Sequence, residues 1–457
     1  MSKMALALRC TGVIWRNAVI IYLVSALVTA CAFTGWTTEA LALAPFEKPP
    51  VVDAKVLVTA KFLKGKNYTV NRKVPTNGFL GWFTLRTQYG KMEVHGCDLL
   101  QIRVGEIRAI QALYKLSKTK VFATAAKDAA LRPINAVKQV IEKPGETLEG
   151  VPAGVERFFH NTYRQAKKTT MDVVDTVSDY AEEKPENTTA REKEQASRTQ
   201  QSDKPGMAEK VVTKAGDTAK DFFGYNKARR GLAKQLKIDP YTTNPILKEK
   251  LDETAWATFA GGMTFKVAVP IPDAISYTTR VSDLVWDLSP PDLEELNEKK
   301  LQAMGIEGRP VRELFRHNAF SPTVTTSLVA ALDQLTGVTG REEVVTLATS
   351  VASEEEARYL TGSVQILARY HRKVTPITRV KAIGTVVGWN QDGNVIVPLY
   401  ADYIAWTRRV AEFAQHPELR TKERSLLVSG KFSPLARQEL TSLGWTIRED
   451  VQVTEER

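Results

Sequence analysis

The chain reads as α+β, predominantly helical, from three observations. Residues 53–97 hold runs of period-2 alternation; residues 207–373 carry one helix-start signal after another; and the stretch SLLVSGKFSPLARQELTSLGWTI near the end reads as strand, helix, strand. The predicted order is an antiparallel β meander followed by helices, a central helical domain and a small α/β unit.

The alternation begins with Val56, Val58, Ala60 and Phe62, which predicts a half-buried strand. Two more strands are expected over 68–74 and 79–89, joined by a tight turn at Asn77 and Gly78, and a short fourth over 91–94. At Asp98 the period changes to a helical one, with Asp98 as the expected cap and Leu100, Val104, Ile107, Leu113 and Leu116 on one stripe. A second helix is predicted from Thr119 to about Glu142, interrupted by Pro133, and a third over 155–180. Residues 181–206 contain no large apolar side chain, so burial there is too small to offset chain entropy and a disordered linker is expected.

Beyond the linker, an amphipathic helix is expected over 207–236. Asn244-Pro245, Ser289-Pro290 and Ser321-Pro322 each pair a capping side chain with a proline suited to the first helical turn, and Ser353 with Glu356 fits a capping box. Gly337 and Gly340 bracket a turn. A hairpin is predicted from strands over 378–388 and 394–399 around Gln391-Asp392-Gly393, then a helix over 400–414, then the closing βαβ unit. The resulting partition is 1–44 targeting segment, 45–97 meander, 98–180 basic helices, 181–206 linker, 207–375 helical domain and 376–457 hairpin plus βαβ tail.

The first 44 residues set the expected location. Lys3, Arg9 and Arg16 precede an apolar run over 18–33 that is short for a spanning helix and has the charged-then-apolar order of a secretory signal. Val28-Thr29-Ala30-Cys31 resembles a bacterial lipobox, which makes Cys31 the expected lipidation site; Ala40-Leu41-Ala42 offers a competing AxA cleavage site, and an uncleaved anchor is the third alternative. All three place the body outside the cytoplasm, in the periplasm or anchored in the cell envelope.

The net charge of +11 is concentrated in residues 45–180, while residues 181–457 are balanced. Lys115, Lys118, Lys120 and Lys127 flank an apolar face that includes Val121, Phe122 and Ala125, a pattern suited to an anionic membrane surface or an acidic envelope protein. The plain alternative is that the apolar face packs on the body and the lysines are solvated. Nucleic acid is not expected, since aromatic residues are not interleaved with the basic ones.

No string matches a phosphate loop, a nucleophile elbow, a zinc-peptidase HExxH or an EF-hand loop. The five histidines are scattered without metal-ligand spacing, so neither a metal nor a cofactor is expected. Glu313 and His317, in RELFRHNAFS, are the candidate catalytic pair, read otherwise as a charged helix end. Gly430 with Ser433 is a strand-to-helix junction able to hold an anion, and Cys97 reads as a buried thiol. Together these features predict an exported envelope protein that binds or scaffolds at or near a membrane surface without catalysis. The rival is a membrane-associated hydrolase acting on lipid or glycan, with its site in the helical domain.

Overall fold

A computed structural model describes residues 46–130, 224–262 and 279–453. The chain is mixed α+β, and its described residues belong to one compact unit. The expected targeting segment, the expected interruption at Pro133, the helix expected over 155–180, the linker expected over 181–206 and the first part of the helix expected over 207–236 lie outside the described residues.

The first predicted strand folds as a helix. After β1 (Val51–Asp53), the Asp53 carboxylate accepts from Lys55 N–H at 3.1 Å and caps α1 (Ala54–Leu57), which a 3-10 turn (Ala60–Phe62) follows. Ala54 and Val58 are buried and Val56 is half exposed, so the apolar residues satisfy a spacing of four rather than two. The expected strand over 68–74 also divides. β2 (Lys64–Gly65), β3 (Tyr68–Val70), β5 (Trp82–Thr87) and β6 (Gly90–His95) form one antiparallel sheet in the order β2-β3-β5-β6, whereas β4 (Lys73–Pro75) pairs with β1. The Arg72 carbonyl at the break accepts from Ala54 N–H at 2.8 Å, which redirects the chain to a new partner. Asn77 Oδ1 accepts from the N–H groups of Phe79 and Leu80 and closes the turn, where Gly78 takes φ +87°.

The long helix α2 (Cys97–Ser117) starts before its expected first residue, behind Gly96, which has no side chain to cap it. Asp98 therefore sits inside the first turn and is not the cap. Leu99, Leu100 and Ile107 pack with Phe83, Leu85 and Val94 of the sheet. Ala109, Ile110 and Leu113, further along, pack instead with Leu232, Leu236, Leu247 and Leu251. α2 thus joins the sheet to the helices, and α3 (Lys120–Ala130) continues it.

The described helices that follow, between residues 224 and 373, are α4 (residues 224–236), α5 (Pro245–Ala260), α6 (Thr279–Asp287), α7 (Pro290–Ala303), α8 (Arg309–Phe315), α9 (Pro322–Asp333), α10 (Arg341–Ala348) and α11 (Glu354–Lys373). Asn244, Ser289 and Ser321 cap α5, α7 and α9, each with proline in the first turn, as their sequences dictate. At α11 the Ser353 hydroxyl accepts from Glu356 N–H, but the Glu356 carboxylate reaches Ala352 N–H rather than that of Ser353. α10 follows Gly340, which offers no side-chain cap, so no start signal preceded it in the sequence.

A second sheet is built from β7 (Ile377–Ile383), β8 (Thr385–Asn390), β9 (Val395–Leu399), β11 (Arg424–Val428) and β13 (Thr446–Arg448), in the order β13-β11-β9-β8-β7. β13, β11 and β9 run parallel, and β9, β8 and β7 antiparallel. The expected single strand over 378–388 is a hairpin folded at Gly384, φ +68°, and the turn at Gly393 joins β8 to β9 as its sequence indicates. All residues of β8 and β9 are buried, which is why their apolar runs lack alternation. β10 (Tyr403–Ile404) pairs in parallel with β12 (Lys431–Phe432) beside this sheet.

Only α12 (Arg408–Ala414) remains of the helix expected over 400–414. Three residues of 402–405 instead donate to the N-terminal region: Asp402 and Tyr403 to Phe79 O, and Ala405 to Gly78 O. α13 (Pro434–Ser442) completes the βαβ unit between β11 and β13.

At Gly430 this junction has no room for a side chain, because a Cβ would lie 2.0 Å from the Asp402 carbonyl oxygen. Gly430→Ala is expected to destabilise the fold by about 1–3 kcal/mol, read as a lower urea midpoint.

Candidate functional site

Beyond the carboxyl ends of β9, β11 and β13 the chain passes through Tyr400–Asp402, Ser429–Gly430 and Val451–Val453, and these segments form one wall of a cleft of about 390 Å³. The start of α2, the first turns of α11 and the α1 region supply the others. Ligands commonly occupy the carboxyl ends of parallel strands, because the loops there converge while the strand bodies are packed.

Asp402 is part of the wall formed at the strand ends, 8% exposed. Its Oδ2 accepts from Gly81 N–H at 2.8 Å, and Cys97 N–H donates to both carboxylate oxygens at 3.0 and 3.1 Å. Asp402 thereby caps α2 from 305 residues away, supplying the oxygen that Gly96 lacks. Burial pushes its carboxyl up to about 6; the two backbone donors oppose that rise, and Asp98 reinforces it. The neighbouring Cys97 is half-buried on the cleft wall rather than fully buried as expected; its thiol is pushed well up by desolvation and by Asp402, and Sγ donates to Leu57 O at 3.5 Å, so it stays a thiol.

Arg358 of α11 organises the inner wall. Its Nη1 donates to Asp98 Oδ2 at 3.1 Å and its Nε to Glu354 Oε1 at 2.9 Å. Burial raises the Glu354 carboxyl, but Arg358 and Arg103 outweigh it and hold the group below its usual value. Tyr400, whose hydroxyl is pushed up by burial, also contacts Asp98. Nearer the mouth, His95 Nδ1 is 3.4 Å from Glu355 Oε1 and its ring stacks on Trp82. Deeper still, Glu106 is 3% exposed and accepts from Arg103, Thr242 and Asn244. Its carboxylate closes a buried network that ties α2 to the turn before α5 and, through Arg103, to α11.

The candidates read from sequence lie elsewhere. Glu313 pairs with Arg309 at 2.5 Å on the surface of α8, and His317 Nδ1 accepts from Ala319 N–H at 3.3 Å. Both border an open depression, and burial lowers the His317 imidazole, but no hydrogen bond or ion pair joins them among the described residues. Lys115 and Lys118 at the end of α2 and Lys120 and Lys127 of α3 are all exposed, while Phe122 and Ala125 of α3 pack on Ala257 of α5. Phe122 and Ala125 of the α3 apolar face are therefore covered by the body, while Val121 stays exposed. Ser433 caps α13 and its hydroxyl donates to Glu47, whose carboxylate also accepts from Trp406 N–H, so the anion at that helix start is a side chain of the protein itself. Cys31 lies outside the described residues.

Asp402, Glu355 and Arg358 were not singled out in the sequence, and Asp98 was read there as a helix cap rather than as a cleft residue. Asp402 sits just after a strand end, in VPLYAD, and that position was its only signal. Among the described residues no group of three His, Cys, Asp or Glu is placed to hold a metal ion.

Comparison with known proteins finds no matching family model, no similar curated protein and no similar solved structure.

Among the described residues, Glu106→Ala leaves buried Arg103 with only the longer ionic contact to Glu354, 3.8 Å away and shared with Arg358, and strands Asn244 and Thr242; it is expected to cost about 3 kcal/mol in chemical denaturation. Asp402 titrates higher in the folded chain than in the unfolded one, so its contribution to stability is fully present below about pH 4 and declines as pH rises through about 6. The difference in unfolding free energy between the native chain and Asp402→Asn is expected to shift by roughly 1 kcal/mol between pH 5 and pH 7, disfavouring the native chain at the higher pH. A pH-independent difference would contradict the raised carboxyl.

Proposed function

We propose that this chain is an exported cell-envelope protein that holds a ligand in the cleft at the strand ends, works at an anionic membrane surface or against an acidic envelope protein, and performs no chemistry on what it binds. The observation that carries this reading is the state of the cleft's own groups. Asp98 is committed to Arg358, Glu355 to His95 and Asp402 to two backbone donors, while the Cys97 thiol is kept protonated. A cleft whose acids are all engaged favours recognition over proton transfer, which needs a base beside the atom it serves.

The exposed lysines support the surface contact. Because α3 packs Phe122 and Ala125 on α5 and leaves Val121 exposed, the contact rests mainly on charge, at about 1 kcal/mol per lysine near an anionic bilayer. Lipidation at Cys31 would add a covalent anchor to the same arrangement.

One observation favours the rival, an envelope hydrolase: a buried carboxyl titrating near 6 at the end of parallel strands suits a general acid or base. On that reading the acid is Asp402 in the cleft rather than Glu313 or His317 in the helical region. Turnover of an envelope lipid or glycan that Asp402→Asn abolishes would establish it; no turnover is expected.

The quadruple variant K115E/K118E/K120E/K127E is expected to leave vesicles containing phosphatidylglycerol in a sedimentation assay, as is the native chain in high salt. Undiminished sedimentation of the variant would remove the lysine surface from the function.

A further inference from the structure

The cleft carries more negative charge than its cations balance. Arg358 is divided between Asp98 and Glu354, and Lys61 is an exposed residue of the rim. Asp402 is met by backbone N–H groups and by the like charge of Asp98. Glu355 has His95 at 3.4 Å, a neighbour that is charged only when protonated. A small recess of about 20 Å³ adjoins the cleft through shared lining residues Asp98, Arg358 and Tyr400, and in its lining Thr361 Oγ1, on a residue 5% exposed, has no hydrogen-bond partner among the described residues.

We propose that the cleft takes a small ligand bearing a protonated amine, with its ammonium group toward Asp402 and Glu355 and a polar end reaching the Thr361 hydroxyl. The recess has room for one water-sized group, such as a hydroxyl or a bridging water, and Leu57, Phe62 and Leu80 offer apolar wall to the carbon skeleton. The cleft volume matches a ligand the size of an amino sugar or a lipid head group. An ammonium group gains from an unbalanced carboxylate in a desolvated wall, where an anion of the same size is repelled. This proposal rests on the cleft being a ligand site, as above, and is independent of the lysine surface.

Calorimetric titration of the full chain tests it, with glucosamine, spermidine and glycerophosphoethanolamine as amine probes and glucose and glucose 6-phosphate as neutral and anionic counterparts. At least one amine is expected to bind about tenfold tighter than its counterparts, roughly the worth of one charge-assisted hydrogen bond. Glu355→Gln, which removes a charge at the cleft wall without touching the cap of α2, should weaken that binding by a similar factor, and Thr361→Val should weaken it too. Binding confined to glycerophosphoethanolamine would assign the amine to a lipid head group; binding of glucosamine or spermidine would assign it to a free amine. Equal binding of glucose, or amine binding unchanged in Glu355→Gln, would overturn the ammonium assignment and leave the cleft as a site for another ligand. Failure of every probe, whatever its charge, would overturn the assignment and the cleft reading with it.

Discussion

The carboxylate of Asp402 is the constraint on which the rest of this structure depends. Three parts of the chain far apart in sequence meet at it: the turn into β5 through Gly81 N–H, the start of α2 through Cys97 N–H, and the end of β9 that carries Asp402 itself. Each donor is a backbone group that would otherwise be buried without a partner, and such a group costs about 1–3 kcal/mol. Gly96 makes the arrangement necessary, because a helix whose preceding residue has no side chain must find its capping oxygen elsewhere. Gly430 makes it possible, because only a residue without Cβ lets the β11 loop approach the Asp402 carbonyl.

A second tie runs parallel to the first at greater depth. Glu106, Arg103, Glu354, Arg358 and Asp98 alternate in charge from the middle of α2 to the first turns of α11, and the hydroxyls of Thr242 and Thr243 fill positions between them. A buried chain of this kind is weak evidence for added stability, since desolvation offsets much of the attraction. Its directional bonds do fix how α2 and α11 face each other. The cleft is bordered by residues of both helices, so its shape is set by this network.

The two ties together explain why the cleft is negative. Asp402 has to be a hydrogen-bond acceptor to cap α2, and Asp98 has to be an acid to hold Arg358, so the charge follows from structural duties performed by neighbouring groups. Burial then raises the Asp402 carboxyl, an electrostatic cost that a protein retaining this residue tolerates or that a cationic ligand relieves.

The sequence by itself determined the local features: the caps at Asn244, Ser289 and Ser321, the turn at Gly393, the βαβ tail and the mixed α+β class. Each of these depends on residues within a few positions of one another, where side-chain chemistry acts on its own backbone. Tertiary structure decided what long-range partners impose. Residues 54–57 form a helix rather than a strand where Arg72 takes Ala54 N–H; residues 378–388 fold back at Gly384 to pair as a hairpin; and residues 402–405 are extended because Gly78 and Phe79 claim the N–H groups of Asp402, Tyr403 and Ala405. The cleft belongs to this second kind. Its acids are ordinary in sequence, and only a fold that brings Gly81, Cys97 and Asp402 together across more than 300 residues makes a site of them.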